Sequence, residues 1–207
     1  MFVELIESLR CPRAHESSPL IASAVRTEAR HIVDGVLGCP VCGAEFPIVG
    51  GVTRFDDPAA PTPAERSDAE TGMRLAAFLE LADARGFAIL CGRWGAHAGV
   101  IRQLTDAPLV LVNPPPEASA DSAAVILVRD VVPLAPGSAR AAALDATSFS
   151  SSAARAVRTG GRIVGPESLT LPDDVTELVR DERVWVGEKI AVRDAAPRLV
   201  PLTRAER

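Results

Sequence analysis

Cys39 and Cys42 flank Pro40-Val41, and two thiols separated by two residues can grip one side of a tetrahedral metal ion through a tight turn. A second half-site begins at Cys11-Pro12. Ala14 stands where another cysteine would be expected, and His15 follows it. A Cys-x-x-x-His pair reaches a single ion, so Cys11, His15, Cys39 and Cys42 form the expected ligand set, with His31 in reserve. Zinc is the expected ion. Four protein ligands leave no open position, which makes such a site structural. The plainer alternatives are ordinary buried thiols, or a fold that persists without its metal. A redox pair would open a helix after a strand, and Cys39-Cys42 does not. The remaining thiol, Cys91, lies near His97 beside a glycine turn; nothing orients the two as nucleophile and base, so a buried thiol and an exposed ring are expected.

The elements around these residues follow from apolar periodicity. Residues 2–9 suit one or two turns of amphipathic helix, and 20–25, 31–37 and 45–49 read as strands, the last closed by Gly50-Gly51. The proline-rich stretch 56–63 is a linker. Thr62, Pro63 and Glu65 resemble a helix start, with the helix running to about residue 84 and Gly86 ending it. Short apolar runs at 87–91, 109–112, 123–128, 141–144 and 162–164 alternate with crossovers, the pattern of a parallel sheet buried on both faces. Segments 183–186, 189–192 and 199–202 fit a closing antiparallel edge, with Trp185 in the core. The expected fold is therefore α/β: a β-rich N-terminal module over 1–55, a linker over 56–63, and a Rossmann-like, mostly parallel sheet with helices on both faces over 64–207.

Two loops carry polar residues. Asn113-Pro114-Pro115-Pro116 is expected to be a stiff connection. Asp145 ends a strand at the edge where ligands gather in open sheets, or else caps a helix together with Thr147 and Ser148.

Composition narrows the function. A formal net charge of -5 and the absence of Tyr disfavour a general nucleic-acid surface, leaving a local basic patch in Arg-rich loops, such as that of Arg155, Arg158 and Arg162, as a less favoured reading. No stretch approaches a membrane span, and Met1-Phe2-Val3-Glu4 lacks the basic start of a secretion signal, so a cytoplasmic location is expected.

The order short helix, Cys11-Pro12, two strands, Cys39-Pro40-Val41-Cys42 and then Phe46-Pro47-Ile48-Val49-Gly50-Gly51-Val52 resembles the small zinc-ribbon family of methyltransferase activator subunits and their bacterial relatives, over about residues 2–55. That resemblance implies an apolar surface packed on a partner methyltransferase, or fusion to such a domain. Ala14 and His15 depart from the family's ligand pattern.

Residues 64–193 resemble a class I methyltransferase in the order of their elements. Phe87-Ala88-Ile89-Leu90-Cys91-Gly92-Arg93-Trp94-Gly95 lies at the first strand and glycine turn, and residues 155–164 at the late Gly-Gly strand. In that family the turn admits S-adenosylmethionine through glycines, an acid at the strand end and a second acid on the ribose. Here Leu90, Trp94 and Asn113 stand at the first acid, the middle glycine and the second acid. The resemblance thus implies a non-catalytic scaffold or regulatory protein that has lost the cofactor, working with a protein partner or as a homodimer. The alternative is an active methyltransferase with an atypical loop, whose cofactor contacts would be Gly92, Gly95 and Asn113; Gly99 is a further glycine within reach.

Overall fold

The computed structural model describes residues 1–58, 60–64, 66–82, 86–118, 123–145 and 148–191. After a 3-10 helix at Val3–Ser8, four antiparallel strands follow: β1 (Ile21–Glu28), β2 (His31–Gly38), β3 (Glu45–Val49) and β4 (Val52–Arg54). Gly50 and Gly51 both take positive φ, which permits the two-residue turn joining β3 to β4. In β3 the side chains alternate, with Phe46 and Ile48 buried and their neighbours exposed, because only one face of this ribbon meets a core.

The remaining strands are β5 (Ala88–Cys91), β6 (Leu109–Val112), β7 (Ala123–Leu127), β8 (Ala139–Ala143), β9 (Val157–Pro166), β10 (Val175–Arg180) and β11 (Val184–Lys189). β5 through β9 pair in parallel, and β11 closes antiparallel on β9 with β10 outside it. Every residue of β5 and β6 is buried, as expected of strands covered on both faces. β4 pairs in parallel with β7, so the ribbon and the Rossmann-like strands form one sheet, ordered β1-β2-β3-β4-β7-β6-β5-β8-β9-β11-β10.

Helices lie on both faces. Leu75 and Leu79 of α1 (Ala69–Phe78) and its C-cap, with Ile101 of α2 (Ala98–Leu104), pack on Ala88, Leu90, Leu109 and Leu111. On the opposite face α3 (Ser150–Ala156) packs on Ile89, Cys91, Val110 and Val112. Phe2, Leu5 and Leu9 join that second layer. Leu5 and Leu9 are wholly buried, a contribution of roughly 1.5–3 kcal/mol each. Backbone bonds from Arg10 N to Pro133 O (2.9 Å) and from Ala135 N to Ser8 O (2.7 Å) fasten the segment to the loop after β7.

Several expectations need correction. The first long helix begins at Ala69 and not beside Thr62, because the Asp68 side chain accepts from Thr71 N (2.8 Å) and supplies the cap; Thr62 Oγ1 instead donates to Asn113 O (2.5 Å). That helix ends at Phe78; Glu65 and Ala84 lie outside the described residues, as do Thr147, Val192 and the expected strand at 199–202. β4 and β10 were not expected from the sequence. Trp185 is fully buried, as expected, donating Nε1 to Leu169 O (2.7 Å). Among the described residues, no helix is long and apolar enough to cross a membrane.

Candidate metal centre and cofactor crevice

The end of β2 delivers Cys39 into a tight knuckle. Gly43, at φ 68°, lets the chain reverse, with Gly43 N donating to Cys39 O (3.0 Å) and Cys39 N to Ala44 O (2.9 Å). Cys11 follows the 3-10 helix and is held by its own N–H on Ser18 O (2.9 Å). The structure thereby brings Cys11, His15, Cys39 and Cys42 together, with one ligand atom from each within 4.8 Å of every other. His31 stands apart at the start of β2, its ring against Phe2.

The spacing fits a tetrahedral ion. Ligands about 2.3 Å from zinc place two sulfurs about 3.8 Å apart, and a sulfur and an imidazole nitrogen about 3.6 Å apart. Cys11 Sγ and Cys42 Sγ are separated by 3.8 Å, and Cys39 Sγ and His15 Nε2 by 3.5 Å. His15 Nδ1 lies 2.6 Å from Glu16 O; as the donor to that carbonyl it leaves the Nε2 lone pair facing the cluster.

The thiols are unequal. Burial pushes Cys11 up to about 11. At Cys39 burial acts in the same direction, but the N–H groups of Cys42 and Val41 and the neighbouring thiols outweigh it and bring the group down to about 6. A thiolate is the form that ligates, so Cys39 is the ligand most ready to bind. These residues could hold a metal ion.

The second site lies where the sheet reverses direction. From β5 the chain winds outward through β6 and β7 and then returns to β8 on the other side, so the carboxyl ends of β5 and β8 flank a crevice of the kind that binds ligands in doubly wound sheets. Here the 3-10 helix Gly92–His97 crosses that position. Trp94 is 7% exposed and donates Nε1 to Leu144 O (2.6 Å), tying the turn to the end of β8. Asp145 accepts from Arg93 N (3.2 Å), and its carboxylate lies so close to Gly92 that a Cβ there would collide with Oδ2.

The three proposed cofactor contacts each meet the protein's own atoms. Gly92 has φ 55° and faces Asp145; a Cβ on Gly95 would stand 2.8 Å from Pro114 Cβ. Asn113 is buried at φ 46°, a left-handed position that Asn tolerates better than most residues. Its carboxamide clips the end of β7, Nδ2 donating to Val128 O (2.8 Å) and Oδ1 accepting from Val128 N (2.9 Å). Gly99 lies within α2. The expected helix-cap role of Asp145 is not found on its side chain: α3 has no side-chain cap, and Ser150 Oγ donates to the Asp145 backbone carbonyl.

Cys91 is fully buried, and desolvation, then the charge of Asp145, push its thiol far up, consistent with an inert core group. His97 corrects the sequence reading. Its ring is buried at 3% exposure, because the 3-10 turn carries it inward beside Trp94, and Nδ1 has no hydrogen-bond partner. The expected basic loop is not a loop: Arg155 lies in α3 and Arg158 and Arg162 in β9, and Arg162 is engaged with Glu80 (2.6 Å) and Glu188 (3.1 Å).

The fold is thus a mixed α/β sheet of the doubly wound, Rossmann-like class, with N-terminal strands added at one edge. The sequence matches no protein-family model and no curated protein. Among solved structures it is similar to a geranyl diphosphate methyltransferase in complex with GPP and sinefungin (14% identity, TM-score 0.37, 47% of this chain and 43% of that one). It is also similar to a SAM-dependent O-methyltransferase from Thermotoga maritima (13%, 0.43, 77% and 79%). A third is an RNA methyltransferase from Salinibacter ruber in complex with S-adenosyl-L-homocysteine (13%, 0.40, 69% and 100%). The chain spans less than half the length of the first of these. At such scores the class rests on the strand order of the chain itself.

Proposed function

We propose that this protein is a non-catalytic scaffold or regulatory protein, in which a structural zinc ribbon is built onto a pseudo-methyltransferase domain that no longer takes S-adenosylmethionine. The observation that carries this reading is the filled crevice: the Trp94 indole bonded to Leu144 O and the Asp145 carboxylate against Gly92 occupy the turn where open backbone would have to meet a cofactor. Asn113 supports it, since its carboxamide is committed to Val128. Cys11, His15, Cys39 and Cys42 would hold the zinc, whose role is to fix the ribbon; with four protein ligands it supplies no catalytic position.

A scaffold needs something to engage, and the reading names a protein partner, a methyltransferase or a second copy of the chain. The outer strand β1 supports this, because among the described residues it leaves one edge of the sheet unpaired and presents Ile21 and Val25, the latter 83% exposed. Thermal unfolding with and without S-adenosylmethionine and its product tests the proposal. An unchanged Tm is expected; a concentration-dependent rise in Tm together with methyl transfer would favour the active methyltransferase instead.

A further inference from the structure

A cavity of about 370 Å³ opens between α1, the Gly92–His97 turn and the strands β9 and β11. Neither Asp145 nor Asn113 lines it. In a chain of net charge -5, its walls carry Arg74, Arg93, Arg183 and His97 and, among the described residues, no carboxylate. Arg74 and Arg93 have counter-ions behind them, Asp181 at 3.0 Å and Asp145 at 3.9 Å, whereas the Arg183 guanidinium makes no ion pair among the described residues. Arg93 Nε, which meets Asp145 only at ion-pair distance, and His97 Nδ1 are buried polar atoms without a hydrogen-bond partner among the described residues, and the His97 ring is more than nine-tenths buried. Native interiors leave few such atoms unsatisfied unless water, an ion or a ligand completes them.

The walls are also aromatic. Arg93 Cζ lies 4.9 Å from the Trp94 ring centroid, and Arg74 Cζ lies 5.4 Å from that of Phe78. Stacking holds each guanidinium plane in place, and the N–H donors not turned to Asp181 or Asp145 remain for an anion. A concave site of this size, apolar with a few converging polar groups, is the ordinary form of a small-molecule pocket.

We propose that this cavity binds a small organic anion, a flat apolar ring bearing a phosphate or carboxylate, with Arg183 and Arg93 on the anionic group, His97 Nδ1 completing its hydrogen bonds, and Trp94 and Phe78 against the ring. S-adenosylmethionine does not suit it, because that molecule carries a net positive charge. The proposal goes beyond the scaffold reading and gives it a small-molecule input, since the ligand would touch the turn that fills the crevice.

Phenyl phosphate is the probe, titrated calorimetrically into the full chain beside inorganic phosphate and benzyl alcohol. Phenyl phosphate is expected to bind saturably, inorganic phosphate at least tenfold more weakly, and benzyl alcohol without measurable heat. The exposed-side substitution Arg183→Gln is expected to weaken phenyl phosphate at least tenfold while leaving the ligand-free Tm and metal content unchanged. In the unsubstituted protein, the Trp94 indole N–H resonance is expected to shift on titration, which covers the case of a variant that folds poorly. Equal binding of benzyl alcohol, no saturation with phenyl phosphate, an unaltered affinity in Arg183→Gln, or a silent Trp94 signal would each overturn the proposal, whatever S-adenosylmethionine does.

Discussion

The carboxylate of Asp145 lies directly against Gly92, with Asp145 Cβ and Cγ each 3.1 Å from where a Gly92 side chain would begin. The two residues stand at the ends of neighbouring parallel strands, β5 and β8, and their contact closes the crevice at the point where the sheet reverses. Gly92→Ala adds a collision to a left-handed φ that L side chains avoid, so a loss of about 2–3 kcal/mol is expected in urea unfolding. Pairing it with Asp145→Ala removes the contacts with Oδ2 and Cγ, keeps the Cβ at 3.1 Å, and leaves about 1–2 kcal/mol, mostly for the backbone conformation. Strictly additive costs in this double-mutant cycle would show that the two residues are not in contact.

Trp94→Phe keeps most of the buried ring and deletes the donor to Leu144 O. A loss of about 1–2 kcal/mol is expected, because a buried carbonyl then loses its partner. An unchanged urea midpoint would mean that the indole does not fasten the turn to β8.

Elemental analysis of the purified protein is expected to give one equivalent of zinc per chain, and Cys39→Ser to lose it with a fall in Tm. His15→Cys, which offers a thiolate where Nε2 faces Cys39, is expected to retain the metal, whereas His15→Ala gives it up to a chelator more readily. Full zinc retention in His15→Ala would remove His15 from the ligand set.

Asp68 caps α1, and its hydrogen bonds from Thr71 hold its carboxyl below the ordinary aspartate range. A depressed folded pKa stabilises the native state above the unfolded pKa, and that stability is lost as pH falls through the folded value. Asp68→Asn is therefore expected to lower Tm at pH 7, with the difference shrinking below about pH 4. A difference that stays constant from pH 7 to pH 3 would count against the charged cap.

The parts of this fold that were legible in the sequence are those whose signal is local. β5 and β6 are continuous apolar runs because both faces are covered, and the Cys39-Pro40-Val41-Cys42 knuckle carries its own turn chemistry. β4 was hidden because Val52–Arg54 is a strand only by virtue of β7 beside it. β10 lies at an outer edge, where all but its first residue are exposed and no alternation remains. The helix start was misplaced because Thr62 and Asp68 offer similar capping chemistry, and packing, which sets Thr62 on Asn113, decided between them. The burial of His97 and the meeting of Asp145 with Gly92 depend on residues far apart in sequence, so no local pattern could announce them.

The central claim is that the protein's own side chains fill the space an adenosyl cofactor would need. Calorimetric titration of the zinc-loaded chain with S-adenosylmethionine tests it most directly. No heat beyond dilution is expected; saturable binding that is abolished when Asn113 or Gly92 is substituted, in a variant that still folds, would contradict it.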